Sequence, residues 1–223
     1  MMESLSRARA ILGEEASERL SKLRVLLVGV GGVGSWCAEA LVRTGLKNLI
    51  LMDDDIVVES NVNRQSMATR KTIGEAKVEA MERRLRDLSP DCRVQALKRR
   101  FERAEQLDEF AVDLVIDAID DVSGKAQLIL GAAARGLPII SSMGAALRFD
   151  PTKVRVSRFE KVEGDGLARA LRNRFRKLKA TPRPWKCVWS SEAPISSEER
   201  GSLMQVAAAF GLVIASEVVN FCR

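Results

Sequence analysis

Apolar residues follow two different periods along the chain. Short continuous runs rich in valine, leucine and isoleucine occupy 24–28 (RVLLV), 49–52 (LILM), 113–117 (DLVID) and 138–142 (PIISS). Runs of that length fit parallel strands buried on both faces, and 93–97 is assigned as a further strand. Between the runs, apolar positions return every three or four residues. Val78, Met81 and Leu85, with arginines between them, predict an amphipathic helix over 76–88. Helices are likewise predicted over 14–22, 33–44 and 123–135, with a shorter one over 104–110. The stretch 14–22 has acids first and bases last, as the helix dipole favours, and the residues before it are expected to form an arm. Strand alternating with helix predicts an α/β fold, a Rossmann-like doubly wound and mostly parallel sheet. After the turn signal 149–153 (FDPTK), the alternating stretch 154–159 predicts an antiparallel extension of the sheet in the C-terminal half. The stretch 187–192 is strand-like. The almost wholly apolar stretch 206–215 predicts a buried helix or a dimer contact, being too brief and polar-flanked for a membrane span.

The first strand halts at Gly29, where Gly29, Gly31 and Gly34 spell GxGxxG. Gly29 permits a tight turn, Gly31 lets backbone approach a phosphate, and Gly34 lets the next helix pack on the strand. Gly32 adds clearance. The helix that follows aims its N-terminal N–H groups and positive dipole end at an anion. Asp53, at the end of the second strand, stands where an acid grips a ribose hydroxyl.

Composition narrows the chemistry. The chain has 223 residues, 46% hydrophobic and 30% charged, which suits one soluble α/β domain. Its expected parts are an N-terminal arm and helix (1–22), a nucleotide-binding half (23–146) and a substrate-binding and dimerisation half (147–223). The opening MMESLSRARAIL has no apolar core of signal-peptide length, so a cytoplasmic setting is expected. Cys37, Cys92, Cys187 and Cys222 are scattered singly, which argues against a zinc ribbon and a disulfide framework. Histidine and tyrosine are both absent. That excludes dehydrogenases relaying a proton through His or a Tyr–Lys pair, and triads built on imidazole. Nucleotidyl transfer needs neither, because positioning and charge neutralisation supply most of its catalysis.

Three carboxylates follow the second strand. Strand alternation is expected to place Asp53 and Asp55 on one side and Asp54 opposite. Extra negative charge beside a phosphate pocket requires a metal or cations to offset it. Asn61, Arg64 and Lys77 come soon afterwards, a set better suited to a nucleoside triphosphate with Mg²⁺ than to a nicotinamide dinucleotide; the alternative is that Arg64 and Lys77 are plain surface charges. Asp117 and Asp120 fall at the carboxyl end of a later strand, where ligands of such sheets lie, and Asp117 is expected at least to fix its loop. Met143 to Ala146 form a small-residue turn that lines the cleft or simply packs closely.

The segment 169–186 opens with Arg169, closes with Lys186 and carries no carboxylate. With the net charge of +6, it suggests contact with nucleic-acid phosphates, and Trp185 is a candidate to stack on a base. The alternative is a solvated helix face followed by a Pro-rich loop. Cys187 has no base to activate it and is expected in the core or the cleft wall.

The motifs GVGGVGS, LMDDDIV, SNVNRQ and GEAK, in this order and spacing, resemble the ThiF/MoeB-type adenylating fold, the superfamily that includes ubiquitin-activating enzymes. With VIDAIDDVSGK and the opening SRARAILGEEASERL, the chain is most similar within it to bacterial tRNA threonylcarbamoyladenosine dehydratases. The resemblance implies an ATP site in which the glycine turn holds the triphosphate, Asp53 binds ribose, and Asn61, Arg64 and Lys77 surround the phosphates. It implies that Asp120 binds Mg²⁺ and that Arg7 completes the pocket of a second subunit in a homodimer. It also implies tRNA as substrate, contacted by 169–186, and brings in sulfur-transfer proteins as partners. The implied reaction is ATP-dependent cyclisation of threonylcarbamoyladenosine through an acyl-adenylate. Adenylation of a ubiquitin-like sulfur carrier is the alternative, and the missing CxxC pairs count against it.

Overall fold

The computed structural model describes residues 5–197, 199 and 201–223. Seven strands form one sheet: β1 (Arg24–Val28), β2 (Asn48–Met52), β3 (Arg93–Leu97), β4 (Leu114–Asp117), β5 (Ile139–Ser142), β6 (Val154–Arg158) and β7 (Lys186–Ser190). Their order is β3-β2-β1-β4-β5-β7-β6. Every pairing is parallel except β6 with β7, which is the expected antiparallel extension at the far edge.

The continuous apolar runs are continuous because both faces are covered. Val25 and Leu27 of β1 enter one core with Leu41 of α2 (Gly32–Thr44), Met81 of α3 (Lys77–Leu88) and Phe210 of the last helix. Leu26 and Val28 enter the opposite core, with Ile129 of α4 (Val122–Ala134) and Leu171 and Phe175 of α5 (Gly166–Leu178). Burying a large apolar side chain on each face contributes about 1.5–3 kcal/mol apiece, which fixes the register of this central strand.

Three expectations change. The chain before residue 14 is helix and not an arm: α1 runs Ser6–Lys22 and bends at Gly13, which lies at φ +77. The stretch 104–110 is a 3₁₀ segment, Ala104–Glu109. The final helix, α6, spans Met204–Cys222, 19 residues with a mean hydropathy of 1.6 in its most apolar window, so it is long enough to cross a bilayer. Its packing gives it another role: Val206, Ala207, Phe210, Ile214 and Val218 are buried in the first core, against α2.

Candidate active site

β1, β2, β4 and β5 all end at a single cavity of about 690 Å³. Its floor is the glycine turn. Gly29 has φ +92, and a Cβ there would lie 2.6 Å from the Ala118 carbonyl oxygen; a Cβ on Gly34 would lie 1.9 Å from the Gly29 oxygen. Strand, turn and helix can approach this closely only without side chains. Around Gly31 the same position is open space. Gly31 caps α2 without any side-chain acceptor, so the first N–H groups of the helix remain for an anion.

The acids do not continue the strand. β2 ends at Met52, and the chain folds back so that Asp53 accepts the Val30 N–H (2.6 Å) through one oxygen and the Asp55 N–H (2.9 Å) through the other. The expected alternation is therefore lost: carboxylate oxygens of Asp53, Asp54 and Asp55 all come within 4.8 Å of one another. Burial pushes the Asp53 pKa above its ordinary value, against the opposing pull of Lys77 and the two N–H donors.

The cations are built into the walls. Lys77 opens α3 with its side chain 8% exposed and its Nζ 2.6 Å from Asp55. Arg64 donates to the Ser60 carbonyl (2.9 Å) and the Asn63 side chain (3.0 Å), while its own carbonyl accepts the Trp36 indole N–H from α2 (2.9 Å). Asn61 is buried, its Oδ1 accepting the Val58 N–H. Gly29, Gly31, Gly32, Asp53, Asp55, Asn61, Arg64, Lys77 and Asp120 all line the cavity. Gly34 lies behind it as a packing position, and Arg7 sits exposed on α1, away from the lining. Asp120 is exposed in the cavity, and the neighbouring Asp121 caps α4 through the Gly124 N–H.

Asp117 does fix its loop, accepting the Ile119 N–H, and it also forms a fully buried ion pair with Lys125 at 2.7 Å. Cys187 is buried in the second core, and burial pushes its thiol far above the reactive range. Gly144 and Ala145 do line the cavity.

The basic segment divides. Trp185 is 6% exposed and stacked on Phe159 with centroids 4.4 Å apart, so it is a core residue and is not available to a base. Arg172 donates to the carbonyls of Phe159 and Val162 and lies over the Phe159 ring. Lys186 pairs with Glu217 of α6, a neutralising acid invisible from the local sequence. Arg169, Arg176, Lys177, Lys179 and Arg183 remain exposed.

Sequence reasoning assigned no role to several lining residues. Gln65 is 5% exposed, lines the cavity and has no partner for its Oε1 among the described residues. Arg99 and Arg100 also line it; the cluster KRRFER after β3 was their signal. Arg148 and Asp165 line the opposite wall and have no signature in the local sequence.

A doubly wound sheet whose glycine turn, acids and cations converge on one cavity defines a nucleotide-binding α/β protein of the adenylating type. The chain belongs to the ThiF family, whose pattern matches residues 5–222. It is 39% identical over 201 residues to the tRNA threonylcarbamoyladenosine dehydratase of Bacillus subtilis, covering 89% of this chain and 79% of that one. To the Escherichia coli enzyme of the same name it is 36% identical, covering 86% of this chain and 75% of that one. A crystal structure of the E. coli dehydratase with AMP superposes with a TM-score of 0.94 over 99% of this chain and 94% of that one, at 34% identity. A second, with ATP, gives 0.92 over 99% and 93%, also at 34% identity.

Proposed function

We propose that this protein is an ATP-dependent dehydratase that cyclises N6-threonylcarbamoyladenosine in tRNA. The observation that carries the reading is the convergence of the glycine turn, Arg64 and the Lys77–Asp55 pair on one cavity, in a chain similar over most of its length to dehydratases of that name.

The glycine turn and the uncapped start of α2 seat the ATP phosphates, and Asp53, held by two N–H groups, keeps lone pairs for the ribose hydroxyls. The threonine carboxylate of the substrate attacks the α-phosphorus and pyrophosphate leaves. Arg64, Lys77 and Asn61 meet the negative charge that builds there. The ureido group then attacks the activated carbonyl and AMP departs. Ring closure is intramolecular, so positioning does most of the work and no histidine is required.

Mg²⁺ fits the donors present. Asp55 and Asp121 are taken by ion pairs, whereas Asp120 and Asp54 offer hard oxygens in the cavity. Asp120 would hold the ion, which supplies charge neutralisation at the phosphates.

The exposed cations of α5 contact tRNA phosphates. A homodimer is supported by α1, where Arg7 and the 89% exposed Ile11 lie one turn apart on the same face; a second copy covering Ile11 would bring Arg7 against its partner. Four buried free thiols suit a reducing cytoplasm.

The test is the acceptor. Release of AMP from ATP should depend on tRNA carrying threonylcarbamoyladenosine and be absent with tRNA lacking it. Release driven instead by a ubiquitin-like sulfur carrier would favour the alternative acceptor.

A further inference from the structure

The half of the cavity away from the glycine turn is formed by 142–148, the start of α5 and the chain around Pro194. One buried ion pair ties these segments together. The side chains of Arg148 and Asp165 are 3% and 0% exposed, with Nη2 3.1 Å from Oδ2. The rest of the guanidinium donates to the carbonyls of Gly144, Ala146 and Glu192. Asp165 accepts the Gly144 N–H (3.0 Å) through the same Oδ2, and through Oδ1 it accepts the Ala168 N–H (2.9 Å), capping α5. Glu192 in turn accepts the N–H groups of Phe149 and Asp150. Within the loop so enclosed, Leu147 is held at φ +60, a left-handed conformation unfavourable for leucine, by bonds to Gly201 and Ile195.

A buried charge pair is costly unless every donor and acceptor is used, and here nearly all are. None of these bonds involves the glycine turn, Asp53 or Lys77. Their effect is to tie this wall together and to join it to the start of the basic helix. We propose that Arg148 and Asp165 are positioning residues for the acyl acceptor: they fix the wall against which the ureido group is held while the adenylate is attacked. The inference rests on the dehydratase reading.

The chemistry makes this consequential, because the acyl-adenylate has two fates. If a ureido heteroatom attacks, its bond to the carbonyl carbon forms, the carbonyl's bond to the phosphate oxygen breaks, AMP leaves with the electron pair and a ureido proton is lost. If water attacks, the carboxylate is regenerated and ATP has been hydrolysed to AMP and pyrophosphate for nothing. A loosened wall favours water.

The experiment measures AMP formed per dehydrated nucleoside for wild type, Arg148→Lys and Asp165→Asn, together with ATP affinity and thermal midpoint. Wild type should give a ratio near one. Arg148→Lys keeps the charge but loses the fork, and should raise the ratio at least threefold while ATP affinity stays within twofold. An unchanged ratio in a folded variant would overturn the proposal, as would a loss of turnover that merely follows ATP affinity or thermal midpoint. If Asp165→Asn does not fold, Arg148→Lys decides alone. Failure of the dehydratase reading is distinguishable, since wild type itself would then yield no dehydrated nucleoside.

Discussion

At Asp53 burial, backbone and ligand compete for one carboxylate. Burial raises its folded-state pKa, while its ionised form accepts the two N–H groups and, in the proposed site, would accept a ribose hydroxyl. The sign follows from linkage: an acid with a raised folded-state pKa is ionised at a cost to stability at neutral pH, and that cost disappears as pH falls and the group protonates. Ligand binding runs the other way. ATP affinity should therefore begin to fall on acidification at a pH above the ordinary aspartate pKa of about 3.9. Titration calorimetry across that range checks this, and affinity that stays flat down to about pH 4 would remove Asp53 from the ribose site. Residues such as Gly29 and Gly34 were legible in the sequence because a steric requirement fixes their type. Arg148 and Asp165 were not, because their partnership spans two segments that only the folded chain brings together.

Element by element, strand and helix positions followed from periodicity to within a residue or so at most ends, since the two-sided burial of β1 and the one-sided burial of α3 leave different patterns. The N-terminal helix was legible only in part, because Gly13 interrupts it and suggests a stop where the chain merely bends. The basic segment shows the converse limit: local sequence reveals charge but not which cations the tertiary structure consumes. Arg172 and Lys186 are consumed; Arg169, Arg176 and Lys177 are not. Replacing those three with Gln should weaken tRNA binding at least tenfold at low salt and lower the salt slope by about 0.7–0.9 for each phosphate no longer neutralised. Filter binding across a salt series measures both. An unchanged slope would make this face solvated and nothing more.

On the scale of the whole molecule, nucleotide pocket, acceptor wall and basic helix meet at one end of the sheet, where four parallel strands terminate. The proposed homodimer places the exposed Ile11 of α1 in the subunit contact. Light scattering should give twice the 24.6 kDa chain mass, and Ile11→Arg should shift the protein toward monomer and lower turnover by withdrawing Arg7 of the partner subunit. A fully active monomer would exclude Arg7 from the site. The central claim is cyclisation itself, and it is tested most directly by the mass of the product. Incubated with ATP, Mg²⁺ and tRNA carrying threonylcarbamoyladenosine, the protein should yield a nucleoside lighter by one water, with AMP formed alongside; an unchanged nucleoside mass would contradict cyclisation.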